Sequence, residues 1–161
     1  MSKISIKLTP SYVVLGLLLD TGTKEFRIEH LNTTSSAGVE QHYTTINNIL
    51  VVLLNVKPQK IIIEKPYIKL HGGLNTTPQE LIDRIEVIQT IYQVLKWEIT
   101  TKLHIKPIEA LPIDYRGKYA HLKKYELLEH ARALFDPSMA TNEILSHLDA
   151  SMLLTYLEKQ C

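Results

Sequence analysis

The stretch at positions 60–67, Lys-Ile-Ile-Ile-Glu-Lys-Pro-Tyr, limits the architecture more than any other part of the chain. Three β-branched residues in a row, closed by turn chemistry, describe a strand buried on both faces. Such strands belong to sheets covered by helices on either side. The run ends in Glu64, and Pro66 then removes a backbone donor from the ladder. A carboxylate at the end of a buried strand needs a partner, because an unpaired buried charge costs several kcal/mol or more. The crevice beyond the carboxyl ends of the strands is also where open α/β sheets place their ligands.

The rest of the chain supplies the neighbours of that strand. Lys3 to Leu8 alternates, with Ile4, Ile6 and Leu8 opposed to Ser5 and Lys7. Tyr12 to Leu19 is nearly continuous apolar sequence, and Lys24 to Leu31 alternates again. Thr9-Pro10-Ser11 and Asp20-Thr21-Gly22-Thr23 supply the turns of an antiparallel meander. From Val39 to Val56 the apolar spacing becomes helical, and Lys57-Pro58 stops it. Thr77-Pro78-Gln79-Glu80 reads as a helix start, opening a helix to about Ile99. The spacing predicts a strand over Leu103–Ile108, a loop over Leu111–Ala120, and helices over Lys123–Phe135 and Asn142–Lys159. The predicted order is β-β-β-α-β-α-β-α-α. It describes an α/β domain with a mixed five-stranded sheet and helices on both faces. It is the element order of the ribonuclease H fold, which the chain thereby resembles.

The 161 residues suit one domain spanning 1–161, and 45% hydrophobic residues suffice for a core. A net charge of +1 gives no global field toward a polyanion, so nucleic-acid contacts must come from a local patch. The single cysteine, Cys161, excludes an internal disulfide framework and a Cys-rich zinc site. No apolar run reaches membrane-spanning length and no signal-peptide core follows Met1, so a soluble intracellular protein is expected.

Two short motifs carry a sharper resemblance. Ile61-Ile62-Ile63-Glu64-Lys65-Pro66-Tyr67 is similar to the glutamate strand of the RuvC-type Holliday junction resolvases. His147-Leu148-Asp149-Ala150-Ser151-Met152 is similar to the start of that family's last helix. The resemblance implies that Glu64 and Asp149 stand at metal-ligand positions of a two-Mg²⁺ endonuclease acting on branched DNA, with a homodimer as its usual state. The chemistry needs carboxylates from separate elements converging on one point, because two cations about 4 Å apart clamp the attacking and leaving oxygens of a phosphodiester.

The first strand departs from the family pattern. Lys7 stands by strand parity where the family has an aspartate, and Ser146 stands three positions before Asp149 where the family has His or Asp. An ammonium at Lys7 is expected to pair with Glu64 and Asp149 in place of a cation. The leading expectation is therefore a RuvC-like domain with a degraded metal site, needing no metal and serving to bind nucleic acid or to act within a larger assembly. The alternative is an active Mg²⁺-dependent nuclease using Glu64, Asp149 and a third ligand, Asp20 or His147. The resemblance and the local charge together assign Lys65, Lys69, Arg116, Lys118, Lys123 and Lys124 as contacts to DNA, or to RNA. On the helix 77–99, Ile88, Ile91 and Leu95 suit either the core or a partner subunit.

Overall fold

The computed structural model describes residues 2–9, 11–30, 39–66 and 78–160, leaving out the side chains of residues 39–41, 78, 81 and 84. Lys69, Tyr67 and the His71-Gly72-Gly73 loop lie outside the described residues.

Three strands, β1 (Lys3–Leu8), β2 (Tyr12–Leu18) and β3 (Lys24–His30), form the expected meander. Helix α1 (Val39–Val56) leads to β4 (Lys60–Glu64), and α2 (Pro78–Glu98) leads to β5 (Ile108–Ala110). A short helix α3 (Pro112–Arg116) follows, and then α4 (Lys124–Leu134) and α5 (Thr141–Lys159). The sheet order is β3-β2-β1-β4-β5; β2 is antiparallel to β1 and β3, and β4 is parallel to β1 and β5. The meander puts β1 at the centre, so β1 and β4 are neighbours although α1 separates them in sequence.

Alternation divides the core in two. Ile4, Ile6 and Leu8 of β1 join Val13, Leu15 and Leu17 of β2 and Ile61 and Ile63 of β4 on one face. Helices α1 and α2 cover that face with Ile46, Ile49, Leu53, Ile91 and Leu95. Each such side chain removed from water stabilises the fold by ~1.5–3 kcal/mol. Ile91 and Leu95 are thus core residues, at 1% and 0% exposure, and are not available to a partner subunit.

The opposite face holds Ser5 and Lys7 of β1 and Ile62 and Glu64 of β4, and α5 lies across it. The contact is close because the residues there are small. Ser5 pairs with Gly16 in the ladder, and the Ser5 hydroxyl donates to the Ala150 carbonyl of α5 at 2.7 Å. A Cβ at Gly16 would lie 2.5 Å from the Ser5 hydroxyl oxygen, 3.1 Å from Leu154 Cδ1 and 3.3 Å from the Ala150 oxygen. A side chain there would have to displace the Ser5 hydroxyl that bonds α5, and this close seat brings the residue before Ala150, Asp149, over β1.

Two boundaries differ from expectation. The strand predicted over Leu103–Ile108 forms only at Ile108–Ala110, where it pairs with Ile62–Glu64. Helix α2 instead continues into a π-helical turn at Ile99–Leu103, where the Thr100 and Thr101 hydroxyls donate back to the Lys96 and Trp97 carbonyls. His104, with φ 57°, ends it. Leu103 and Ile105 pack against the core without joining a ladder. The predicted loop at Leu111–Ala120 contains α3 and a 3₁₀ turn at Gly117–His121. Asp114 accepts a hydrogen bond from the Leu111 backbone N–H at 2.9 Å and so caps α3.

Candidate functional site: a closed charge cluster

The site forms where β1, β4, α3 and α5 meet. Strand alternation turns Lys7 and Glu64 to the same face, and the close seat of α5 brings Asp149 above them. The Lys7 ammonium donates to Glu64 Oε2 at 2.7 Å and lies 3.1 Å from Asp149 Oδ2. All three residues are buried, at 7%, 3% and 5% exposure. Two acids eighty-five positions apart therefore share one ammonium.

Helix α3 closes the cluster from the side. The Arg116 guanidinium grips Asp149 with two parallel bonds, Nε to Oδ1 at 3.1 Å and Nη2 to Oδ2 at 2.8 Å. This fork geometry is the strongest form of carboxylate pairing. The Tyr115 hydroxyl donates to Glu64 Oε2, the same oxygen that Lys7 holds. Two positive and two negative groups thus balance, and each carboxylate has a second partner besides the ammonium.

Burial, and then the charges of Asp149 and Glu64, push the Tyr115 hydroxyl far above the ordinary tyrosine range; Arg116 opposes them. The sign follows directly. The unfolded phenol ionises near pH 10, while the folded one keeps its proton. Tyr115 therefore contributes stability fully below about pH 10, and that contribution falls by ~1.4 kcal/mol per pH unit above it. Tyr115→Phe is expected to cost ~1–3 kcal/mol at neutral pH, by leaving a buried carboxylate one donor short. It should also flatten the fall in stability above pH 10. Urea midpoints of both proteins at neutral and alkaline pH measure the two effects together.

The other assigned residues divide. Arg116 and Lys124 line a cleft of about 470 Å³ with Lys7, Asp149, Asn142 and Tyr12. Lys123 is exposed at the start of α4, its backbone N–H held by Glu126. Lys118 lies outside this cleft, with its ammonium 5.2 Å from the Tyr119 ring centre. Lys65 is exposed, and strand alternation points it away from the face that carries Glu64.

Neither alternative third ligand joins the acids. Asp20 is exposed in the turn after β2, beyond Leu18, which pairs with Lys3; Lys7 pairs with Val14, toward the other end of the sheet. The strand that Asp20 follows is the second, not the first, as the alternative reading of Asp20 would need. His147 is buried, with Nδ1 2.7 Å from the Glu143 carbonyl and its ring against Phe26 and Phe135 at 5.8 and 5.7 Å. Those neighbours hold it toward β3, two strands from β1. Ser146 hydrogen-bonds the Asn142 carbonyl at 3.0 Å and the Tyr12 hydroxyl at 3.4 Å. Among the described residues, no three His, Cys, Asp or Glu side chains gather as a metal-binding group.

Known structures supply the comparison. RuvC of Thermus thermophilus in complex with a Holliday junction substrate superposes with a TM-score of 0.62, at 12% identity, over 99% of this chain and 96% of that one. A second RuvC structure from the same organism gives 0.56 at 13% identity, over 99% and 96%. The fold is that of RuvC. A yeast mitochondrial Holliday junction resolvase shares this RuvC fold with a TM-score of 0.53 at 9% identity, over 96% of this chain and 76% of that one. No protein-family model matches the sequence, and no curated protein matches it significantly. At such identities the likeness with RuvC is one of architecture: a mixed five-stranded sheet with helices on both faces, of the ribonuclease H-like kind.

Sequence reasoning missed Tyr115 altogether, and it did not foresee that Arg116 pairs with Asp149. A signal for α3 was present, since Pro112 and Asp114 after Leu111 form a helix start with a capping acid. Nothing local says that Arg116 will meet a carboxylate instead of a phosphate.

Proposed function

We propose that this chain is a RuvC-like protein that binds branched DNA without cutting it, its two-metal centre replaced by an internal ion cluster. The observation that carries the reading is the ammonium of Lys7, within 3.1 Å of both Glu64 and Asp149. A pair of Mg²⁺ ions needs several carboxylates to offset four positive charges held close together. Here two carboxylates converge, and Lys7, Arg116 and Tyr115 engage them. The donor set does not fit a two-magnesium centre, and no hydrolytic step is assigned to it.

Binding is supported by different residues. Lys124 at the mouth of the 470 Å³ cleft and Lys123 beside it are exposed cations near the carboxyl end of β1. The RuvC structure with the highest of these TM-scores carries a Holliday junction. Trp97 on α2 and Val51 on α1, 66% and 55% exposed, leave apolar surface that a second subunit or a larger assembly would cover.

The test uses a synthetic four-way junction and a linear duplex of the same sequence. The expected result is a retarded junction complex, and no cleavage with Mg²⁺ or Mn²⁺. Lys123→Glu with Lys124→Glu should weaken binding and make its salt dependence shallower by about two units of log–log slope, one per lost phosphate contact. Metal-dependent cutting that disappears in Glu64→Gln would establish an active nuclease instead, and failure to bind either DNA would remove the reading.

A further inference from the structure

A second cleft, about 570 Å³, opens between α3, the 3₁₀ turn, α4 and the outer side of α5. It shares only Arg116 and Leu148 with the cleft beside the charge cluster. Its lining is chemically one-sided: Lys118 and Lys159 line it beside Arg116, whose charge Asp149 offsets, and no carboxylate lines it. Lysine, arginine and acid numbers are nearly equal over the whole chain, 18 against 17, whereas this cleft is lined by cations and no acid.

The remaining lining is of two kinds. Tyr119 presents an aromatic ring, braced by the edge of His130 at 5.2 Å, and Met152 adds a soft apolar surface. Ser151 and Thr155, one turn apart on α5, add hydroxyls. A volume of this size suits a small molecule and is too confined for a duplex. Positive charge without acid selects an anion, the ring and thioether select a flat apolar group, and the hydroxyls suit a sugar between them.

We infer that this second cleft binds a nucleoside monophosphate, with the phosphate toward Lys118 and the base toward Tyr119 and Met152. The ligand is either a free nucleotide or the 5′-phosphorylated end of a strand, which present the same groups. The inference goes beyond junction binding and fails separately from it, since it concerns different residues and a different ligand.

Calorimetric titration of the full chain tests it, using thymidine and adenosine 5′-monophosphates, the two nucleosides, inorganic phosphate, and a trinucleotide with and without a 5′-phosphate. Saturable binding of a mononucleotide is expected, at least tenfold tighter than of its nucleoside or of phosphate. Lys118→Glu, at an exposed position, should weaken it about tenfold, as expected for loss of one charge-assisted contact. Tight binding of the phosphorylated trinucleotide, lost without its 5′-phosphate, assigns the strand end; binding of the mononucleotide alone assigns the free ligand. Absence of saturable binding at millimolar ligand overturns the inference. So does a loss of affinity in Lys124→Glu with Lys118→Glu unaffected, which would move the ligand to the first cleft.

Discussion

Lys7→Met melts on the order of 10 °C below the wild-type protein. The figure follows from the cost of removing one member of a buried charge group, about 3–5 kcal/mol, at roughly 2–4 °C per kcal/mol for a chain of this length. Methionine keeps most of the volume of the lysine stem, so the loss is electrostatic and not a cavity effect. Asp149 would still hold Arg116, but among the described residues Glu64 would keep only the Tyr115 hydroxyl. The double variant Lys7→Met, Glu64→Gln separates two explanations. If the single change acts by stranding a carboxylate, removing that charge as well should return most of the lost stability, because a buried pair replaced whole is often neutral. Thermal melts of the three proteins read this out. A Lys7→Met protein within about 1 kcal/mol of wild type would mean that the ammonium contributes no more than a surface ion pair does.

The logic of that cluster was partly open in the sequence. The alternation of Ile4, Ile6 and Leu8 against Ser5 and Lys7 puts the lysine on the face opposite the apolar triplet. The run Ile61–Ile63 fixes Glu64 in the same way, and the meander followed by αβ alternation makes β1 and β4 neighbours. Periodicity and topology together were therefore enough to bring Lys7 and Glu64 together, while Asp149 joined them in the sequence reading only through the resemblance of the last helix to that of the RuvC-type resolvases. Less could be read where the chain between elements does the positioning. Leu103 and Ile105 alternate with His104 and Lys106 as a strand would, but helix α2 ran past its expected end through threonine hydroxyls bonding back to carbonyls. Tyr115 and Arg116 reach the acids because α3 docks on α5, a contact across 33 positions for Arg116 and Asp149 that no local pattern encodes. Charge type adds to the ambiguity, since a guanidinium fork fits a carboxylate and a phosphate equally well.

The converse substitution, Lys7→Asp, should make the protein respond to divalent cations. Aspartate at position 7 would remove the ammonium and stand beside Glu64 and Asp149 as a third carboxylate, a set of hard oxygen donors that suits Mg²⁺ or Mn²⁺. In chelator the variant should be less stable than Lys7→Met, because three acids then face one another with Arg116 as the one full counter-charge among the described residues. Added Mg²⁺ or Mn²⁺ should recover it by about 2.7 kcal/mol at a concentration one hundred times the dissociation constant. Sodium at matched ionic strength should not do so, since screening alone acts weakly on buried charges. Arg116 competes with metal for both oxygens of Asp149, so Lys7→Asp with Arg116→Ala should show the same recovery at lower metal concentration. The wild-type melting temperature supplies the decisive comparison. It should be indifferent to divalent ions, because the ammonium already sits between the two carboxylates. A wild-type protein stabilised by Mg²⁺ as strongly as the variant would show that an ion displaces Lys7 there, and the closed cluster would no longer argue against metal-dependent cutting.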